Sequence, residues 1–208
     1  ARPAMGAAMS SQAASSVPVA VLISGTGSNM AALIDAGQTA ASGYDVALVV
    51  SNVEDAGGLA IAAAKGVQTL SIPHKPFGKD REAHERAVDA ALRAAGVEVV
   101  ALAGYMRILT PWLVRAWEGR MLNIHPSLLP LYPGLDTHAR ALAARDAEAG
   151  CTVHLVTEGV DEGPILGQAR VPILSDDTPA ALAERVKTAE HRLYPQVLGD
   201  FCKGLARG

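Results

Sequence analysis

Apolar residues follow two rhythms along this chain, and their alternation predicts its architecture. Residues 17–23 (VPVAVLI) are almost unbroken apolar sequence, as in a strand buried on both faces of a parallel sheet. Helical spacing comes next in MAALIDAG and stops at Gly37. Runs at 44–51, 67–72, 97–103 and 121–124 predict further strands. Between them, 56–65 and 80–95 predict helices stopped by Gly66 and Gly96, and Thr110-Pro111 opens a helix to about Trp117. This regular alternation predicts a Rossmann-like α/β fold, an open, mainly parallel twisted sheet flanked by helices with right-handed crossovers.

The second half departs from that rhythm. Residues 137–145 predict an Ala-rich helix. Residues 151–157 (CTVHLVT) put Cys151, Val153, Leu155 and Thr157 on one face and Thr152, His154 and Val156 on the other, which suits an antiparallel strand. Residues 165–173 resume as a strand, making 158–164 (EGVDEGP) the acidic tip of a hairpin. A terminal helix is expected over 178–200, with Pro195 marking a bend or break. One domain is expected over 17–208. Residues 1–16, whose single charge is Arg2, read as a disordered leader or a cloning remnant.

Composition narrows the classes. Of 208 residues, 50% are hydrophobic but only 4% aromatic, so the core must be mostly Ala, Val, Leu and Ile. A net charge of -3 argues against nucleic-acid binding, which needs basic surface. Cys151 and Cys202 are too few for a disulfide framework or a Cys-rich zinc site, and fit a reducing, cytoplasmic setting. No apolar run reaches the roughly 18 residues of a membrane span.

Candidate chemistry gathers at loops that leave the ends of strands. Ser24-Gly25-Thr26-Gly27-Ser28-Asn29 joins the first strand to the first helix and is either a bare tight turn or an anion site made by free backbone N–H groups and the helix dipole. Gly104-Tyr105-Met106-Arg107-Ile108-Leu109 leaves the fourth strand toward the same cleft. In MLNIHPSLLPLYPG, Asn123 and His125 share one strand face, offering an amide donor and an imidazole that titrates near neutrality. Pro126, Pro130, Pro133 and Gly134 keep the segment after His125 stiff and irregular. Asp161 is the candidate carboxylate to orient the imidazole. His154 is either a satisfied core histidine or a partner of the site. Arg81 either lies in solvent or reaches a ligand. The six His lack a metal-like spacing such as H-E-x-x-H.

Together, SGTGSN, AGYMRIL, NIHPSLLPLYPG and VDEGPIL resemble the phosphoribosylglycinamide formyltransferase family in order, over roughly residues 17–202. The resemblance implies transfer of a formyl group from the co-substrate 10-formyltetrahydrofolate to the amine of glycinamide ribonucleotide, in purine synthesis, without a metal. It implies small-molecule substrates, no nucleic acid or membrane partner, and a monomer or homodimer. It puts catalysis on Asn123, His125 and Asp161, and the substrate phosphate and ribonucleotide on Thr26, Gly27, Ser28, Asn29, Lys187 and Glu190. The folate pocket falls on Arg81, Met106, Arg107, Ile108, Leu109, Val156 and Val160. Lys187 departs from a commoner Gln and Glu162 from a commoner Gly. A formyltetrahydrofolate hydrolase is expected to carry an added N-terminal domain, and a methionyl-tRNA formyltransferase an added C-terminal one with basic surface. A catalytically silent nucleotide-binding module would not need the Asn123, His125 and Asp161 set.

Overall fold

The computed structural model describes residues 15–208. The expectation for the leader therefore lies, for residues 1–14, outside the described residues. Seven strands form one sheet in the order β3-β2-β1-β4-β5-β6-β7. They are β1 (Val17–Ile23), β2 (Tyr44–Ser51), β3 (Gln68–Ser71), β4 (Val99–Leu102), β5 (Met121–His125), β6 (Glu148–Leu155) and β7 (Ile165–Pro172). The first five pair in parallel, and β6 and β7 are antiparallel additions. The helices are α1 (Ser28–Gly37), α2 (Gly57–Ala64), α3 (Arg81–Ala94), α4 (Pro111–Ala116), α5 (Thr137–Ala143) and α6 (Pro179–Ala206).

The run in β1 is apolar because both of its faces are covered. Val17, Val19, Val21 and Ile23 face a core shared with α1 and α6, while Ala20 and Leu22 face one shared with α3 and α4. The same alternation aims Leu122 and Ile124 of β5 at the α6 side. Met121 faces the opposite core, so Asn123 and His125 lie on that second face, beyond the cover of α3 and α4.

Two elements differ from expectation. β6 starts at Glu148, three residues early, and Ala149 to His154 are all buried. Its polar positions are covered too: Thr152 Oγ1 donates to Ser127 O at 2.7 Å and accepts from Leu129 N at 3.1 Å. Glu148, Ala149 and Gly150 have weak strand propensity, and pairing with β7 overrides it. The second is α6, which runs unbroken through Pro195 and ends at Ala206. An interior proline costs about 3 kcal/mol. Against it, Leu182, Val186, Tyr194, Leu198 and Cys202 are each 0% exposed, and burying such side chains stabilises by roughly 1.5–3 kcal/mol apiece. Tyr194 also shares its hydroxyl proton between Leu102 O and Leu122 O, tying α6 to the end of β4 and to β5.

Candidate active site

After β1 the chain goes to β2 on one side of the sheet, and later to β4 on the other. Loops leaving β1 and β4 diverge there and open a cleft at the carboxyl edge of the strands. The glycine-rich turn forms one wall. Gly27 precedes α1 with φ 64°, a left-handed conformation that glycine adopts without strain, and α1 has no acidic residue in its first turn. Gly58 of α2 makes a close approach: its N–H donates to Gly25 O at 3.0 Å, and a Cβ there would lie 2.5 Å from Ile23 Cδ1. Asn29 Nδ2 donates to Glu190 Oε1 of α6 at 3.2 Å. Burial raises the Glu190 pKa, partly offset by the Asn29 bond and the nearby Lys187 charge. Lys187 itself pairs with Glu184 at 3.1 Å.

The opposite wall is the extended segment 104–109. Met106 and Ile108 point outward, 73% and 70% exposed, while Tyr105, Arg107 and Leu109 are half-buried. Its far end is held by Glu85 of α3. Glu85 Oε2 accepts from Thr110 N at 2.9 Å, and its other carboxylate oxygen accepts from the Thr110 hydroxyl. Burial raises the pKa of Glu85 and these two hydrogen bonds lower it, with burial the larger effect. Arg81 lies one turn before Glu85 on α3, exposed. Val156 packs beside the α3 and α4 core, and Val160 at the hairpin tip is 66% exposed.

Between the walls lies the polar face of β5 and β6. Asn123 pairs with His154, and His125 with Thr152, so all four side chains share a face. The side-chain amide of Asn123 makes no hydrogen bond among the described residues and is half-buried. His125 Nε2 lies 2.8 Å from Tyr132 O; a carbonyl only accepts, so this nitrogen carries a proton. His125 Nδ1 lies 3.4 Å from Asp161 Oδ2. The contact is attractive when a proton sits on one of the two partners. Asp161, at φ 53°, also accepts from Gly134 N at 2.9 Å. The proline-rich segment and the hairpin tip are thereby joined.

Thus Asn123, His125 and Asp161 come together, as do Asn29, Glu190 and Lys187. Arg81 is linked to the 104–109 wall only through its helix neighbour Glu85. Sequence reasoning left His154 open; its Nε2 is buried without a hydrogen-bond partner and lies 3.7 Å from Asp161 Oδ1. It missed Gly58, Glu85 and Asn52, and the bonds that Ser24 makes outside its own turn, because their partners are remote in sequence and carry no local motif. Among the described residues, no cluster of three or more His, Cys, Asp or Glu is placed to hold a metal ion. No helix among them is long and apolar enough to cross a membrane.

Comparison with known proteins identifies the family. The formyl transferase family matches residues 17–198. The trifunctional purine biosynthetic protein adenosine-3 of Drosophila melanogaster is 50% identical over 190 residues, covering 90% of this chain but only 14% of that protein. The phosphoribosylglycinamide formyltransferase of Escherichia coli (strain K12) is 45% identical over 186 residues, covering 89% of this chain and 87% of that one. A crystal structure of phosphoribosylglycinamide formyltransferase from Brucella melitensis superposes with a TM-score of 0.87 at 53% identity, covering 90% of this chain and 96% of that one. By sequence and by fold alike, the chain belongs to the formyl transferase family.

Proposed function

We propose that this protein transfers the formyl group of 10-formyltetrahydrofolate to the primary amine of glycinamide ribonucleotide, in the reducing setting of a cytoplasm. The observation that carries the reading is the unbonded amide of Asn123 beside the His125–Asp161 pair, 3.4 Å across, between two differently built walls. The names of the relatives supply the acceptor. The ribonucleotide phosphate sits at the glycine-rich turn, against Thr26, Gly27, Ser28 and Asn29, with Lys187 adding charge and the Glu190 carboxylate facing the ribose. The donor's flat ring packs between Met106, Ile108, Leu109, Val156 and Val160, with Arg81 and Arg107 toward its carboxylates.

The neutral amine attacks the formyl carbon, and negative charge builds on the formyl oxygen. Asn123 donates its amide N–H to that oxygen. His125 donates through Nδ1, the longer and weaker of its two contacts, as the imidazolium held by Asp161. Asp161 then takes up the proton released by the attacking nitrogen, directly or through water. The bond from the formyl carbon to the folate nitrogen breaks, and Asp161 passes its proton, directly or through water, to that nitrogen, which restores the carboxylate. The enzyme forms no covalent bond, and both cysteines are buried in the core away from the trio.

The test is release of tetrahydrofolate from 10-formyltetrahydrofolate with and without glycinamide ribonucleotide. Release only in the presence of the ribonucleotide is expected. Equal release without it would make the protein a hydrolase, and no release in either case would overturn the reading.

A further inference from the structure

A chain of hydrogen bonds runs along the carboxyl edge of the sheet, crossing the cleft floor at the point where the strand order reverses. It begins at His74, after β3, whose Nδ1 lies 3.0 Å from Asn52 O; a carbonyl only accepts, so Nδ1–H donates to it. Asn52 comes directly after β2 and is 3% exposed. Its Oδ1 accepts from the hydroxyl of Ser24, after β1, at 2.5 Å. With that proton committed, Ser24 Oγ accepts the backbone N–H of Met106, after β4, at 2.8 Å. Each link joins the tail of one strand to that of its neighbour in the sheet. Of the backbone groups of residues 104–109, the Met106 N–H is the one that bonds elsewhere in the chain, among the described residues. The outward alternation of Met106 and Ile108 is thus indexed to a side chain that itself opens the glycine-rich turn.

We propose that Ser24, backed by Asn52, is a positioning residue for the formyl donor. It touches neither reacting atom. It fixes where the 104–109 wall stands relative to the opposite wall, and so sets the distance at which the two substrates meet. The inference rests on the reading that the donor lies against 104–109.

The test uses the full chain with Ser24→Ala, and with Ser24→Thr, which restores the hydroxyl. Loss of one such bond predicts a roughly three- to tenfold rise in KM for the donor in Ser24→Ala. The KM for the ribonucleotide should stay within about twofold, since its backbone turn is untouched. Ser24→Thr should recover the donor KM. Amide hydrogen exchange at Met106, measured without substrates, should quicken about tenfold in Ser24→Ala and return in Ser24→Thr. An unchanged donor KM with unchanged exchange would overturn the proposal. So would equal losses for both substrates that Ser24→Thr fails to rescue, because that pattern marks general damage to the fold. If wild-type protein transferred no formyl group, the functional reading would fall, while the exchange measurement would still decide whether Ser24 holds the wall.

Discussion

One wall of the cleft is made of backbone and the other is held by side chains. The glycine-rich turn is shaped by φ angles and by a close approach of α2, and it rests on α1, whose Met30, Leu33 and Ile34 are buried. The binding groups proposed for it are main-chain N–H groups at the start of α1. The opposite wall is an extended segment that pairs with no strand. It shows Met106 and Ile108 to solvent and is tied by Ser24 at one point and Glu85 at its end. The difference fits the ligands proposed for each. A phosphate is small and charged, and backbone N–H groups fixed in advance recognise it with little reorganisation. A flat ring system is recognised by apolar area, which an exposed segment offers and which closes on the ring only if its ends are held.

Three substitutions probe that contrast. Asn123→Ala removes the donor that lies between the walls, so kcat should fall about 100- to 1000-fold, with both KM values little changed. Steady-state kinetics measures this, and near-normal kcat would remove Asn123 from the mechanism. Glu85→Ala strips both partners from Thr110 in a site where Glu85 is 3% exposed. Stability should drop by roughly 1–3 kcal/mol in a denaturant titration, and the donor KM should rise while the ribonucleotide KM holds. Gly27→Ala strikes the other wall. At φ 64° an added Cβ is strained and would meet Met30 Cβ at 3.2 Å, costing about 1–2 kcal/mol. Here calorimetry should show weaker ribonucleotide binding and unchanged donor binding, the reverse of Glu85→Ala.

The smallest effect lies outside both walls and serves as a control. Hydrogen bonds from Arg185 first, then from Leu174 N–H, hold the Asp177 carboxyl down to about 2, below its ordinary 3.8. A lowered pKa means the folded state binds fewer protons than the unfolded chain in that window. The contribution is therefore present above about pH 4 and is lost as pH falls toward 2. Acid titration of Asp177→Asn should show that part of the decline removed, with turnover at neutral pH unaffected.

The contrast also explains what could be read from the chain alone. The glycine-rich turn was legible because its geometry is local: strand, glycines and helix succeed one another in a few residues. Asn123 and His125 were legible because strand periodicity puts them on one face. The shared face with His154 was not, since it depends on the register of β5 against β6. Nor were the ties on the donor wall. Ser24 and Met106 are 82 residues apart, and Glu85 and Thr110 are 25 apart, so no spacing rule connects them. The early start of β6 and the unbroken α6 escaped for a related reason: in both, tertiary contacts outweigh the local preference of Gly150 and Pro195.

The proposed chemistry turns on Asp161, which holds the His125 imidazolium and takes up the proton that leaves the amine. Single-turnover formyl transfer by Asp161→Asn, with both substrates saturating, isolates that role. Asn keeps the size of the side chain and an oxygen for Gly134 N–H, but carries no charge and takes up no proton. The transfer rate should fall about 100-fold or more, with both substrates still binding within about threefold of wild type. A transfer rate within about twofold of wild type would show that neither the charge nor the proton uptake of Asp161 is needed.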